Sequence, residues 1–189
     1  MAPSKGPAEN PLGRLTLVIG GASSGKSLLA ERLAGEGGAV TYIATARPLD
    51  NEMRAKIETH RRRRPPGWRT IEVSGPDLLE VLPGVADGVV IVDGLTLYVA
   101  TAMAAAKDPE AHMNEVIQAL RKAVGTVIVV SDEVGLGLVP ESTAGRAFRD
   151  LLGRVNQRLA EAADNVYFVA AGLPLTLKGR ETIGSDGWA

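Results

Sequence analysis

The chain contains no cysteine. That excludes disulfides, thiolate nucleophiles and cysteine-built zinc sites, and it suits a reducing compartment, here expected to be the cytoplasm. Aromatic residues make up only 4% of the sequence and the formal net charge is −1. A protein built to grip nucleic acid needs basic channels and stacking platforms, and one held on an anionic membrane needs basic surface. Neither is supplied, so no nucleic-acid partner is expected. No apolar run approaches the length of a membrane span. Residues 1–13 are rich in Pro and Gly and lack the apolar centre of a signal peptide. What remains is a chain of 189 residues, enough for one domain with a substantial core. Residues 1–14 read as a flexible leader, 15–179 as a single domain, and 180–189 as a loose tail.

The stretch that organises the domain is Gly20-Gly21-Ala22-Ser23-Ser24-Gly25-Lys26-Ser27, a full match to G-x-x-x-x-G-K-[ST]. The apolar run Leu15–Ile19 precedes it, with the length and residue types of a buried strand. Behind it Leu29 and Leu33 recur at helical spacing. In that context the glycines let the backbone aim successive N–H groups inward as an anion nest, and the helix dipole adds positive potential. Lys26 can reach β- and γ-phosphates, and the Ser27 hydroxyl can ligate a bridging Mg²⁺. A plain Gly/Ser turn would require neither Lys26 nor the spacing.

Further apolar runs follow at 39–44, 88–93, 126–130 and 165–170, with a short strand expected at 68–73 and an edge strand at 173–177. Helices are expected from Asp50 to about Arg64, at 76–82, 95–106, 109–124 and 141–163, with Pro65-Pro66 stopping the first of these. Strands apolar on both faces that alternate with helices specify an α/β fold, a mostly parallel sheet covered by helices on both faces. Ligands in such sheets sit at the carboxyl ends of the strands. The glycine loop, Ala44-Thr45-Ala46, Asp93 and Ser131-Asp132-Glu133 all fall there. Asp93 ends its strand where a Mg²⁺-holding carboxylate belongs, and an N-cap role suits it equally. Asp132 and Glu133 compete for the same task, and spacing alone does not choose.

In the segment 50–64, Met53, Ile57 and His60 share one side of a helix, and Arg61, Arg62, Arg63 and Arg64 crowd its end. Cations complement a helix C-terminus, and a solvated basic face explains them as readily as function does. Beside four guanidinium groups, however, protonation of the imidazole is disfavoured, leaving a nitrogen able to attack phosphorus. The arginines can absorb charge on a triphosphate. Trp68 reads as a core or platform aromatic, and Glu72 as a candidate partner for a nucleotide hydroxyl or a metal. His112, in a polar helix, reads as surface. In 141–163, Phe148, Leu151, Leu152, Val155 and Leu159 form an apolar stripe facing core or a subunit interface.

Taken together, GGASSGKS (20–27), YIATA (42–46), DNEM…I..HRRRRP..W.T.E (50–72), VDGLTLYV (92–99), SDEVGLGLVP (131–140), FRDLLGRVNQRLAEAAD (148–164) and AGLPLTLKG (171–179) resemble the bifunctional adenosylcobinamide kinase / adenosylcobinamide-phosphate guanylyltransferase family of cobalamin biosynthesis. The glycine loop alone is widespread; the ordered set is specific. The resemblance implies a RecA-like P-loop NTPase fold assembled as a homotrimer, with the subunit interface completing each site. It implies phosphorylation of adenosylcobinamide by ATP or GTP, then transfer of GMP from GTP to adenosylcobinamide phosphate through a histidine–GMP intermediate, with release of pyrophosphate. The matching histidine is His60, with Lys26 as its catalytic companion. Guanine-nucleotide contacts correspond to Gly20, Gly21, Ala22, Ser23, Ser24, Gly25, Lys26, Ser27, Ala44, Thr45, Ala46, Arg61, Arg62, Arg63, Arg64, Glu72 and Asp93, and Mg²⁺ to Ser27 and Asp93.

The chain departs from the family's usual residues at Ser23 (often Arg), Gly94 (often Cys) and Asp132 (often Asn). Loss of the loop arginine implies weaker triphosphate binding unless Arg61–Arg64 compensate. Three other readings of the same residues are a monofunctional P-loop kinase of another small alcohol, a RecA-like ATPase acting on DNA, and a GTP sensor without catalysis. The kinase gives His60 no covalent role, and the DNA-acting ATPase predicts salt-sensitive strand binding.

Overall fold

The structure is a computed structural model that describes residues 13–35, 39–45, 51–85 and 88–179. The leader up to residue 12, the tail from 180, Ala46 and Asp50, where the second helix is expected to start, lie outside the described residues. Seven strands form one sheet in the order β3-β2-β4-β5-β1-β6-β7. They are β1 (Leu15–Gly20), β2 (Val40–Ala44), β3 (Arg69–Glu72), β4 (Val89–Asp93), β5 (Thr126–Asp132), β6 (Asn165–Ala170) and β7 (Leu173–Lys178). All neighbours pair in parallel except β7, which turns back antiparallel on β6. The helices are α1 (Lys26–Ala34), α2 (Asn51–Arg63), α3 (Leu78–Val81), α4 (Leu95–Ala105), α5 (Pro109–Lys122) and α6 (Thr143–Ala162).

The continuous apolar runs are explained by burial on both faces. Along β1, Leu15, Leu17 and Ile19 enter the core shared with α3, α4, α5 and α6, while Val18 enters the core shared with Leu29, Ala30 and Ala34 of α1. In β5, Val127 and Val129 share the first core and Ile128 and Val130 the second. That two-residue alternation is strand geometry between two helical layers. All three tyrosines are buried, each at most 1% exposed. A phenol buried so deeply requires a partner for its hydroxyl.

Several element boundaries differ from the sequence expectation, each for a local reason. The fifth strand runs two residues past Val130, because Ser131 and Asp132 pair with Ile19 and Gly20 of β1. The last helix starts at Thr143 rather than Glu141, where the Ser142 hydroxyl accepts a hydrogen bond from Gly145 N at 3.1 Å. The helix expected over 76–82 shortens to α3 plus a 3₁₀ turn at Leu82–Gly84, since Pro83 has no N–H to continue an α-helix. The 109–124 helix ends at Lys122, with Ala123 in an extended conformation. His112 is not a surface residue: its Nε2 lies 2.8 Å from the hydroxyl of buried Tyr98, and the rings stack at 5.8 Å. Polarity of the neighbouring residues concealed this, because α5 turns His112 toward α4.

The start of the sheet is pinned from a distance. Backbone N–H groups of Arg14 and Leu15 donate to Asp164 Oδ2 at 2.7 and 3.0 Å. Those bonds hold the Asp164 carboxyl below the usual carboxylate range. They fix where β1 starts, and hence where the glycine loop emerges.

Candidate functional site

The register of the central strands brings the candidate residues together. Ala44 pairs with both Glu72 of β3 and Asp93 of β4, and Asp132 of β5 pairs with Gly20 of β1. These positions line up at the carboxyl edge of the sheet, where the glycine loop leaves β1. A cavity of about 590 Å³ opens there.

The loop is shaped by contacts that only small residues allow. A Cβ on Gly20 would lie 2.3 Å from the Val169 carbonyl and 2.9 Å from Ser24 Oγ. Gly25 has φ +100°, a left-handed conformation in which side chains are strained, and its Cβ position faces the Gly172 backbone at 3.3 Å. Gly172 N in turn donates to Ser24 O at 2.9 Å. Ser23 also sits at positive φ, 56°. The Lys26 ammonium donates to Gly21 O at 2.5 Å and forms an ion pair with Asp132 Oδ1 at 2.8 Å. Asp132 thus sits on the lysine, which separates its position from that of Asp93. Its backbone is held by the Thr96 hydroxyl, which accepts from Asp132 N at 2.7 Å, and by Asn156.

Asp93 is gripped from the other side. Its carboxylate accepts a hydrogen bond from the Tyr42 hydroxyl, whose ring stacks on Trp68 at 6.4 Å and carries the Arg64 guanidinium 3.6 Å above its face. Burial first, and the Asp93 charge second, push the Tyr42 phenol well above its ordinary value, so it acts as a donor. Arg64 also donates to Thr70 Oγ1 at 3.2 Å. Of the two roles expected for it, Trp68 takes the core one: it packs, partly buried, against the core cluster that contains Tyr42.

Helix α2 delivers His60, Arg61 and Arg63 to the cavity, with Ile57 beside them. Burial, then the neighbouring Arg63, lower the His60 pKa below 6.5; Asp93 opposes this and Arg64 adds to it. The ring is held neutral, which is the form with a nucleophilic lone pair. Arg63 Nη2 lies 3.2 Å from His60 Nδ1 and 3.7 Å from Glu31 Oε1. Arg62 points elsewhere: its Nε donates to Glu58 at 3.0 Å and its side chain is 78% exposed.

Of the residues singled out in the sequence, Ala22, Ser23, Ser24, Gly25, Lys26, Ser27, Ala44, His60, Arg61, Arg63, Arg64, Glu72 and Asp93 line this cavity. Gly20 and Gly21, at the start of the loop, do not line it. Thr45 turns its hydroxyl to the Asp93 and Gly94 carbonyls at 3.1 and 2.6 Å, bracing the strand ends rather than facing the cavity. Tyr42, Thr96, Leu97 and Glu31 were not singled out. For Tyr42 the signal was present, a polar-tipped aromatic in an otherwise apolar strand. A larger cavity of about 1180 Å³ lies at the amino ends of the strands and contains none of these residues.

The oxygen donors near the loop suit a hard cation: the Ser27 hydroxyl and the carboxylates of Asp93 and Asp132 all line the cavity. Among the described residues no group of three or more His, Cys, Asp or Glu could hold a metal by itself.

Comparison with known proteins agrees with this geometry. Residues 16–177 match the family model CobU, cobinamide kinase / cobinamide phosphate guanyltransferase. The bifunctional adenosylcobalamin biosynthesis protein CobU of Escherichia coli K12 is 40% identical over 181 residues, covering 87% of this chain and 99% of that protein. Its counterpart CobP of Pseudomonas aeruginosa PAO1 is 44% identical over 169 residues, covering 86% and 96%. Among solved structures, an ATPase from a bacterial type III secretion system superposes with a TM-score of 0.54 at 12% identity, covering 87% of this chain and 57% of that one. The ATP synthase subunit NeqB of Nanoarchaeum equitans gives 0.52 at 10% identity, covering 84% and 46%. These two likenesses concern the fold alone, the RecA-like P-loop arrangement. With residues 16–177 matched by the family model and relatives 40% and 44% identical over most of its length, the chain belongs to the cobinamide kinase / cobinamide phosphate guanyltransferase family.

Proposed function

We propose that one cavity serves both reactions of this family and that His60 is the group that accepts GMP. The chain is a cobinamide kinase and cobinamide-phosphate guanylyltransferase of cobalamin biosynthesis. In the first step the terminal hydroxyl of adenosylcobinamide takes the γ-phosphoryl group of ATP or GTP. In the second, His60 takes the α-phosphoryl group of GTP with its guanosine, pyrophosphate leaves, and the cobinamide phosphate then displaces the ring. Direct attack of one phosphate on another would bring two anions together; a neutral imidazole avoids that in the first displacement.

The roles follow from the chemistry of each side chain. The loop Gly20–Ser27 cradles the phosphates and Lys26 exchanges its Asp132 partner for them. Arg61 and Arg64 absorb charge that develops as pyrophosphate departs, while Arg63 stands against His60. Ser27 and Asp93 hold Mg²⁺, which when bound neutralises charge on the phosphates. Glu72 and Ala44, which line the cavity, contact the nucleoside. The enzyme works in the cytoplasm as a homotrimer; exposed Leu136, Leu138, Leu173, Leu175 and Leu177 supply apolar surface for such an assembly.

The observation that carries this reading is that His60 and the residues Ser23–Ser27 of the phosphate loop line the same cavity. The experiment is incubation of the purified protein with α-labelled GTP and Mg²⁺. A protein-bound label that is acid-labile and base-stable is expected, and its loss in His60→Ala. If the wild-type protein takes up no label under turnover conditions, the histidine intermediate is wrong.

A further inference from the structure

Three side chains on two helices meet beside the phosphate loop in an arrangement that the reaction described so far does not use. Arg63 and His60 lie on α2 and Glu31 on α1, the helix that the loop itself starts. A single nitrogen, Arg63 Nη2, faces both partners, 3.2 Å from His60 Nδ1 and 3.7 Å from Glu31 Oε1. The first distance is within hydrogen-bonding range and the second is not.

The chemistry of the donors decides what the short contact means. A guanidinium group can only donate. His60 Nδ1 therefore accepts, and its lone pair is engaged by Arg63. A neutral imidazole has one such lone pair, because its other ring nitrogen carries the proton. In this arrangement the proton is on Nε2, and neither nitrogen can attack phosphorus.

Glu31 supplies the other position for the arginine. Its side chain is only 10% exposed, and its buried Oε1 has no hydrogen-bond partner. Burying a carboxylate oxygen without a donor is costly. Burial raises the Glu31 pKa, while Arg63 and Arg64 oppose that rise and Asp93 adds to it. A rotation that carries Nη2 away from His60 Nδ1 and brings it within hydrogen-bond length of this oxygen, now 3.7 Å distant, would satisfy the carboxylate and free the imidazole.

We propose that Arg63 and Glu31 are positioning residues that set the availability of His60: Arg63 covers the lone pair of the ring, and Glu31 holds Arg63 once it has been released. The proposal rests on the reading of His60 as the GMP acceptor. In the released arrangement the free ring nitrogen forms a bond to the α-phosphorus as the bond from that phosphorus to the bridging oxygen breaks. Pyrophosphate leaves with the electron pair, and the proton stays on the other ring nitrogen. Covering the nucleophile in the absence of GTP also guards the ring against other electrophiles.

Two measurements test this. The first is the ¹⁵N NMR signature of His60 in the nucleotide-free protein, assigned by its absence in His60→Ala. The wild-type ring is expected as the Nε2–H tautomer with Nδ1 accepting, and Arg63→Ala is expected to lose that bias. A wild-type ring protonated on Nδ1 would overturn the proposal. The second is the rate of label uptake from α-labelled GTP in a double-mutant cycle. Glu31→Gln is expected to slow it about 10-fold on its own and to have no further effect in the Arg63→Ala background. Equal slowing in both backgrounds would show that Glu31 acts other than through Arg63, and would sink the idea. Arg63 is 41% exposed, so its replacement leaves the fold intact. Failure of the parent reading looks different: no label appears even in the wild type, whereas the tautomer is read without turnover.

Discussion

The Tyr42 hydroxyl donates a hydrogen bond to the Asp93 carboxylate across adjacent strands, and the Arg64 guanidinium lies over the same tyrosine ring. Strand β2 thus orients the carboxylate of β4, with an aromatic face as the support for a cation. Tyr42→Phe keeps the ring, and so keeps the platform for Arg64, while deleting the donor. The expected outcome is about 10-fold weaker apparent Mg²⁺ affinity, the size of effect typical when a group orienting a metal-binding carboxylate is lost. Titration of activity against Mg²⁺, together with calorimetric binding of GTP in the presence and absence of Mg²⁺, measures it. Unchanged Mg²⁺ dependence would mean that Asp93 needs no such orientation.

The state of His60 is readable by pH. Burial and Arg63 lower its pKa, so the ring remains neutral at pH values where a free imidazole, near 6.5, is already half protonated. An NMR titration of the free protein is expected to give a midpoint below 6.5. Removing a neighbouring positive charge by Arg63→Gln relieves one of the causes, so the midpoint rises toward 6.5. A wild-type midpoint at or above 6.5 would contradict the desolvation argument.

Asn156 is buried in α6 and ties the end of β5 to that helix. Its Oδ1 accepts from the Ser131 hydroxyl at 2.7 Å and its Nδ2 donates to the Asp132 carbonyl at 3.0 Å. Asn156→Ala leaves the buried Ser131 hydroxyl and the part-buried Asp132 carbonyl without these partners, at a cost of about 2–4 kcal/mol. For a domain of this size that is a fall in Tm of roughly 5–15 °C, measurable by calorimetry. Asp132 also loses part of its support, so GTP affinity is expected to change along with stability.

Much of this was legible beforehand, for identifiable reasons. The glycine loop, the apolar runs and the helix after the loop follow local rules, period and φ requirements that each segment carries in its own residues. Boundaries moved where a single side chain decided them, as with the Ser142 cap and Pro83. The competition between Asp93 and Asp132 was open because both end apolar strands. The order β2-β4-β5-β1 separates them, giving one to Tyr42 and the other to Lys26.

The run Arg61–Arg64 shows the limit most plainly. Four identical residues in a row are indistinguishable by sequence, yet each has a different fate. Arg61 lines the cavity, Arg62 turns to Glu58 in solvent, Arg63 meets His60 and Glu31, and Arg64 covers Tyr42. The 100° step of a helix and the position of its end sort them, and neither acts until α2 is docked beside the sheet. Sequence alone determined that a phosphate-binding loop sits between a buried strand and a helix, because spacing and backbone freedom are local properties. Only the tertiary structure decided which charges meet, because a contact such as Arg63 with Glu31 joins two helices whose separation depends on how both pack against the sheet.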